Sequence, residues 1–237
     1  MLDSMHLPRL AVIVGSNRRD SINCKLAQAP VRLGAGKFEA VFVRIDDLPM
    51  YNQDNEGNLP PEVARFKNEI ARADGVLIVT PEHDRSIPAV LKNAVDWGAR
   101  PWGKNSWIGK PAFITGTSPG AFGSALAQQH LRSVMTGLGM ILLGGEAYLT
   151  FKPNLIDEHG NVGDESTKSF CRISSPALRT WSRGWRRWRR RRRHNSGEGR
   201  SSARSAHACA LTSLPVRARS RPHQCARLRR GPPATSG

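Results

Sequence analysis

The chain has 237 residues, 39% hydrophobic and 23% charged, with a formal net charge of +17. That length suits one domain with a sizeable core, with or without an extension, and not a small stapled scaffold. Residues 1–170 balance 18 basic against 18 acidic side chains, while residues 171–237 hold 18 arginines, no lysine and one acid, Glu198, so the basic pI does not mark the first part as a nucleic-acid binder.

Leu10 to Val14 is a short apolar run ending at Gly15, which suits a strand buried on both faces. Ser21 to Leu33 reads as a helix with Ser21 as its cap, and Pro30 is expected to end or kink it. Ala40 to Val43, with Ile45, is a second strand, and Asp46 to Leu59 a polar loop. Pro61 to Ala73 is a helix with proline near its start and Val63, Phe66 and Ile70 on one stripe. Gly75 to Thr80 is a third buried strand, and Ser86 to Trp97 a helix with Pro88 in its first turn. Pro111 to Thr115 is a fourth strand, Gly116 to Gly123 a glycine-rich loop, Ala125 to Leu138 a helix and Met140 to Leu143 a fifth strand. This alternation specifies an α/β fold with a parallel sheet and right-handed crossovers. Ligands in such sheets bind beyond the carboxyl ends of the strands, so the loops after strands one, three and four form one composite site.

Cys24, Cys171, Cys209 and Cys225 form no CxxC pair, which disfavours a zinc site or disulfide framework and fits a reducing compartment. The first apolar run is too short for a signal segment or membrane span, and the expected location is cytoplasmic.

Gly15 to Asn23 places hydroxyls, an amide and Arg18 at a helix N-terminus, the make-up of an anion site. On the residues alone it is either a phosphate slot or a polar turn capped by Ser21. It is neither GxxxxGK[ST] nor GxGxxG, which removes support from nucleotide hydrolysis and from an orthodox dinucleotide site. The acids Glu82 and Asp84 are weak evidence for a metal, and none is expected. Lys92 and Asp96 read as helix-surface or network residues, and Trp97, Trp102 and Trp107 as core or interface anchors. His83 reads as the one histidine near the site, able to stack, with packing favoured over proton transfer.

Three segments carry a family resemblance. Gly15 to Asn23 resembles the GSxRxxSxN loop of the NADPH-dependent FMN reductase family, Pro81 to Trp97 its PEYNxSxPxxLKNAxDW signature, and Ser118 to Gly123 its SPGxxG loop. The match spans about residues 9–168, including the stretch at 155–167. The resemblance implies a flavodoxin-like doubly wound sheet of order 2-1-3-4-5 with FMN at the switch point. It implies that Ser16, Arg18, Ser21 and Asn23 hold the FMN phosphate. Pro81, Glu82, His83, Asp84 and Ser86 would lie along the ribityl chain and isoalloxazine, with Ser118, Pro119 and Gly120 opposite. Glycine at 120 and 123 suits a flat ring laid on backbone. NADPH or NADH would give hydride to FMN N5, and two electrons would pass to a flavin, quinone or similar small acceptor. No side chain acts as a nucleophile. Relatives reduce free flavin, quinones, azo dyes, chromate or organoarsenicals, and form homodimers or homotetramers. The departure is His83-Asp84 where the family has Tyr-Asn; a carboxylate at 84 would lower the flavin potential. The rival within the fold is a flavodoxin-type electron carrier without pyridine-nucleotide turnover.

The two parts are therefore a reductase domain, 1–170, and an arginine-rich, low-complexity tail, 171–237. The family's last helix covers one sheet face, and the sequence departs from it after Phe170. Arginine without lysine is the composition of an off-frame reading of GC-rich coding DNA. Trp181, Trp185 and Trp188 also lie at helical spacing, and disorder is expected beyond about residue 195. The alternatives for the whole chain are a folding-impaired remnant and a tail that binds polyanions non-specifically; specific nucleic-acid binding and a membrane span are not expected.

Overall fold

Parallel strands covered by helices on both faces consist of continuous aliphatic runs, and the computed structural model, which describes residues 7–171, builds its sheet from them. The elements are β1 (Arg9–Val14), α1 (Ile22–Leu33), β2 (Glu39–Phe42), α2 (Pro61–Arg72), β3 (Gly75–Val79), α3 (Ala89–Ala99), β4 (Pro111–Ser118), α4 (Ala125–Gly137), β5 (Ile141–Leu142) and β6 (Tyr148–Thr150). A further helix occupies 165–171. The strand order is β2-β1-β3-β4-β5, all parallel, as the flavodoxin-like reading requires.

Successive side chains on a strand point to opposite faces, and the core is divided accordingly. Ala11, Ile13, Val76, Ile78 and Ile114 pack with Phe66 and Ile70 of α2, Leu91 and Trp97 of α3, and Leu131 and Met135 of α4. Leu10, Val12, Leu77, Val79 and Phe113 pack with Leu26, Ala27 and Ala29 of α1. Phe170 and Cys171 join that second layer, with the Phe170 ring 5.9 Å from Phe113. The segment 165–171 thus starts to cover the face that the departing sequence was expected to leave bare. The tail beyond Cys171, its predicted disorder and its tryptophan stripe lie outside the described residues.

α1 ends at Leu33, as read from the sequence, and runs three residues past Pro30, because proline removes one internal bond while Leu26, Ala27, Ala29 and Pro30 itself are buried. Three details differ from the sequence expectation. β4 extends to Ser118, so the glycine-rich loop starts later. β5 keeps only two residues. After Gly144 and Gly145, the latter at φ +96°, the chain returns as β6, which pairs with Gly116–Ser118 and extends the edge that β5 starts. Trp97 and Trp107 are core residues whose indole N–H groups donate to the Pro49 and Val95 carbonyls, whereas Trp102 is 88% exposed. Among the described residues, no helix is long and apolar enough to cross a membrane.

Candidate functional site

The loops after β1, β3 and β4 stand side by side because those strands are neighbours in the sheet. The ladder continues to their bases, where Gly15 N–H donates to the Val79 carbonyl and Thr80 N–H to the Thr115 carbonyl.

The first loop leads into α1 through Ser21, which is buried and extended and makes no side-chain cap bond. No acid lies in the first turn of α1. The positive end of the helix is thus left without an internal anion. Ser16 Oγ accepts from Arg18 N–H at 3.4 Å, and Arg18 is exposed. Ser16, Arg18 and Ser21 lie on the loop that leads into this helix end, and such an end suits a phosphate. The Asn23 side chain is buried, donating to the Thr117 carbonyl and accepting from Thr117 N–H, both at 3.0 Å, which fastens the first turn of α1 to β4.

The second loop is a hairpin in miniature. His83 and Ser86 exchange backbone hydrogen bonds at 3.1 and 2.8 Å around Asp84 and Arg85, at φ +47° and +63°. Two left-handed residues in a two-residue turn make type I′, for which Asn-Gly is the favoured pair. Aspartate tolerates that region; an arginine there costs about 1–2 kcal/mol. This turn is why α3 starts at Ala89 and not at Ser86. Pro81 accepts from the Thr80 hydroxyl at 2.8 Å. His83, Asp84 and Arg85 are exposed.

Glu82 points across to the third loop. One of its oxygens accepts from Leu126 and Ala127 N–H, at 3.0 and 3.3 Å, in the first turn of α4. The residue before α4, Ser124, is left-handed and supplies no side-chain cap, so Glu82 provides the missing acceptor and a charge that matches the helix dipole. The Arg85 guanidinium lies 3.7 Å from the other Glu82 oxygen and 5.0 Å over the Phe122 ring. Ser86 Oγ is 3.0 Å from His130 Nδ1 on α4, so His83 is not the only histidine near the site.

In the third loop, Ser118 Oγ accepts from Gly120 N–H at 3.1 Å, and Thr150 donates to the Gly120 carbonyl. Pro119 and Gly120 are exposed. A Cβ on Gly116 would collide with the Thr80 carbonyl oxygen, and one on Gly123, at φ +51°, with the Tyr148–Leu149 backbone. Those two glycines serve the internal packing. A Cβ on Gly120 would meet only Ser118 Oγ, at 3.5 Å, leaving open space over the loop. An uncapped helix end beside Ser16 and Arg18, with open backbone at Gly120, fits a ligand with an anionic end and a flat ring. FMN is such a ligand. Among the described residues no cluster of His, Cys, Asp or Glu is arranged to hold a metal.

Arg85, Phe122 and His130, and the capping of α4 by Glu82, are not marked in the sequence. Each acts across loops, where sequence spacing carries no signal; only the Asp-Arg pair between two polar residues hints at a turn.

Residues 8–153 match the model of the NADPH-dependent FMN reductase family. The chain is 46% identical over 176 residues to a 2-hydroxy-1,4-benzoquinone reductase of a Burkholderia species, covering 74% of this chain and 96% of that protein. It is 41% identical over 174 residues to a quinone reductase of Pseudomonas putida, covering 73% and 93%. The solved flavoenzyme NAD(P)H:(acceptor) oxidoreductase from Paracoccus denitrificans superposes with a TM-score of 0.72 at 41% identity, covering 75% of this chain and 98% of that one.

Proposed function

The chain belongs to the NADPH-dependent FMN reductase family, and on that premise we propose that it reduces quinones with NAD(P)H at one FMN site built by the three loops. It is an oxidoreductase with FMN as cofactor and NAD(P)H as co-substrate. The balanced reaction is NAD(P)H + H⁺ + quinone → NAD(P)⁺ + hydroquinone. The observation that carries the site is the row of an uncapped α1 N-terminus, the 83–86 turn and the open Gly120 backbone, on neighbouring strands. The quinone acceptor is supported by the two relatives named for quinone reduction.

Bound FMN would supply the redox chemistry, a two-electron transfer from NAD(P)H to the quinone. The chain supplies binding, orientation and electrostatics. Ser16, Arg18, Ser21 and the first amides of α1 would hold the FMN phosphate. Pro81, His83, Asp84 and Ser86 would hold its ribityl chain and ring, largely through backbone, together with Ser118, Pro119 and Gly120 of the loop after β4. Asn23 and Glu82 fix the spacing of these walls through Thr117 and α4. An Asp84 carboxylate near the ring would oppose added negative charge there, an effect that its exposure to water weakens. Residues 1–170 form the working domain, in a homodimer or homotetramer in the cytoplasm.

The test is steady-state NADPH oxidation with a quinone, using protein stripped of flavin and then reloaded. Turnover that returns with FMN supports the proposal. A reloaded protein that accepts electrons from a chemical reductant but does not oxidise NADPH or NADH is an electron carrier.

A further inference from the structure

Phe122 is 60% exposed, and the Arg85 side chain is 64% exposed. Arg85 occupies a left-handed position, φ +63°, that glycine fills at no cost. Strain of this kind in a loop is a pointer to function. The guanidinium stacks 5.0 Å over the Phe122 ring, joining the two loops that flank the ring of the cofactor in the reading above. Glu82 anchors it at 3.7 Å, but the carboxylate is shared with the α4 amides, so its charge is partly spent. Asp84, the other nearby acid, is exposed, so water screens its charge. A guanidinium and a largely exposed aromatic ring thus stand together where those two loops meet.

We propose that Arg85 and Phe122 form a shelf that selects planar electron acceptors carrying a negative charge, such as the anion of a 2-hydroxy-1,4-quinone. The inference rests on the reductase reading and names the substrate class of that site. A guanidinium pairs with the delocalised oxygens of such an anion, and the phenyl ring receives its flat face. The phosphates of a pyridine nucleotide offer the same charge to Arg85. They lack a flat face at the charged end, so the aromatic partner favours the acceptor.

The test uses the FMN-loaded full chain and the variant Arg85→Gly. Glycine relieves the strain of the turn, so the variant is expected to melt at or above the wild-type temperature. Two acceptors are compared at neutral pH: 2-hydroxy-1,4-naphthoquinone, an anion, and its neutral 2-methoxy ether. The ratio of kcat/KM for the anion to that for the ether is expected to fall about tenfold, with KM for NADPH within about twofold of wild type. Without turnover, calorimetric binding of 1-naphthoate to the oxidised protein is expected to weaken about tenfold, and that of neutral 1-naphthamide not at all. An unchanged acceptor ratio with unchanged naphthoate affinity overturns the proposal. So does a loss confined to KM for NADPH, which assigns Arg85 to the nucleotide. Absence of NADPH oxidation in the wild type defeats the reductase reading instead, while the naphthoate titration still decides the shelf.

Discussion

Replacing Glu82 by alanine removes the acceptor that Leu126 and Ala127 N–H share at the start of α4. Loss of a helix N-cap acceptor costs about 1 kcal/mol, within roughly 0.5–2. The matched charge adds about 0.3–1 kcal/mol. Leu126 is 39% exposed, so water takes over part of the bond, and the two terms do not add in full. The expected loss is therefore about 1–2 kcal/mol, or roughly 3–6 °C in Tm for a domain of this size. Urea unfolding measures it, and hydrogen exchange at the Leu126 and Ala127 amides is expected to accelerate. Glu82→Gln keeps an oxygen acceptor and loses the charge, so it is expected to recover about half of the loss. The FMN affinity of the alanine variant is expected to drop, because the 82–86 turn and the 119–124 loop lose their tie. A variant within about 0.5 kcal/mol of wild type, the range of an ordinary surface change, with unaltered exchange at both amides, would refute the capping argument.

Asn23→Ala is expected to lower stability by about 2–4 kcal/mol, since the buried Thr117 N–H and carbonyl both lose their partner; a urea midpoint close to wild type would contradict this. Gly116→Ala and Gly120→Ala are expected to behave oppositely. The first forces β3 and β4 apart and yields little soluble protein, while the second melts like wild type without FMN but binds FMN weakly, as fluorescence titration would report. Burial pushes the Cys171 thiol up to about 12, and the thiolate is the reactive form. Iodoacetamide near neutral pH is therefore expected to leave Cys171 unlabelled in the native protein and to label it in urea, as peptide mapping would show. Rapid native labelling would contradict its packing against the sheet.

The sheet was legible because parallel strands must be apolar on both faces. Leu10–Val14 and Gly75–Val79 have no other plausible reading in a chain that alternates with amphipathic helices. The position of the site was legible for the same reason: loops at the carboxyl ends of β1, β3 and β4 converge once the strand order is known. The walls between those loops were not. Asn23 meets Thr117 across 94 residues of sequence, and Glu82 meets Leu126 across 44. Spacing therefore suggested ligand contacts for side chains that are engaged with backbone. The type I′ turn was hidden because Asp84-Arg85 lacks the usual glycine. β6 was missed because Tyr148–Thr150 is too short to show a period, and its place depends on the detour at Gly144 and Gly145.

The most direct test of the central claim is the anaerobic visible spectrum of the full chain loaded with FMN, recorded before and after one equivalent of NADPH and again after a quinone. The expected result is a bound-flavin spectrum that bleaches with NADPH and returns with quinone. A soluble, folded protein that binds no FMN, or a bound flavin that NADPH and NADH leave oxidised, would contradict it.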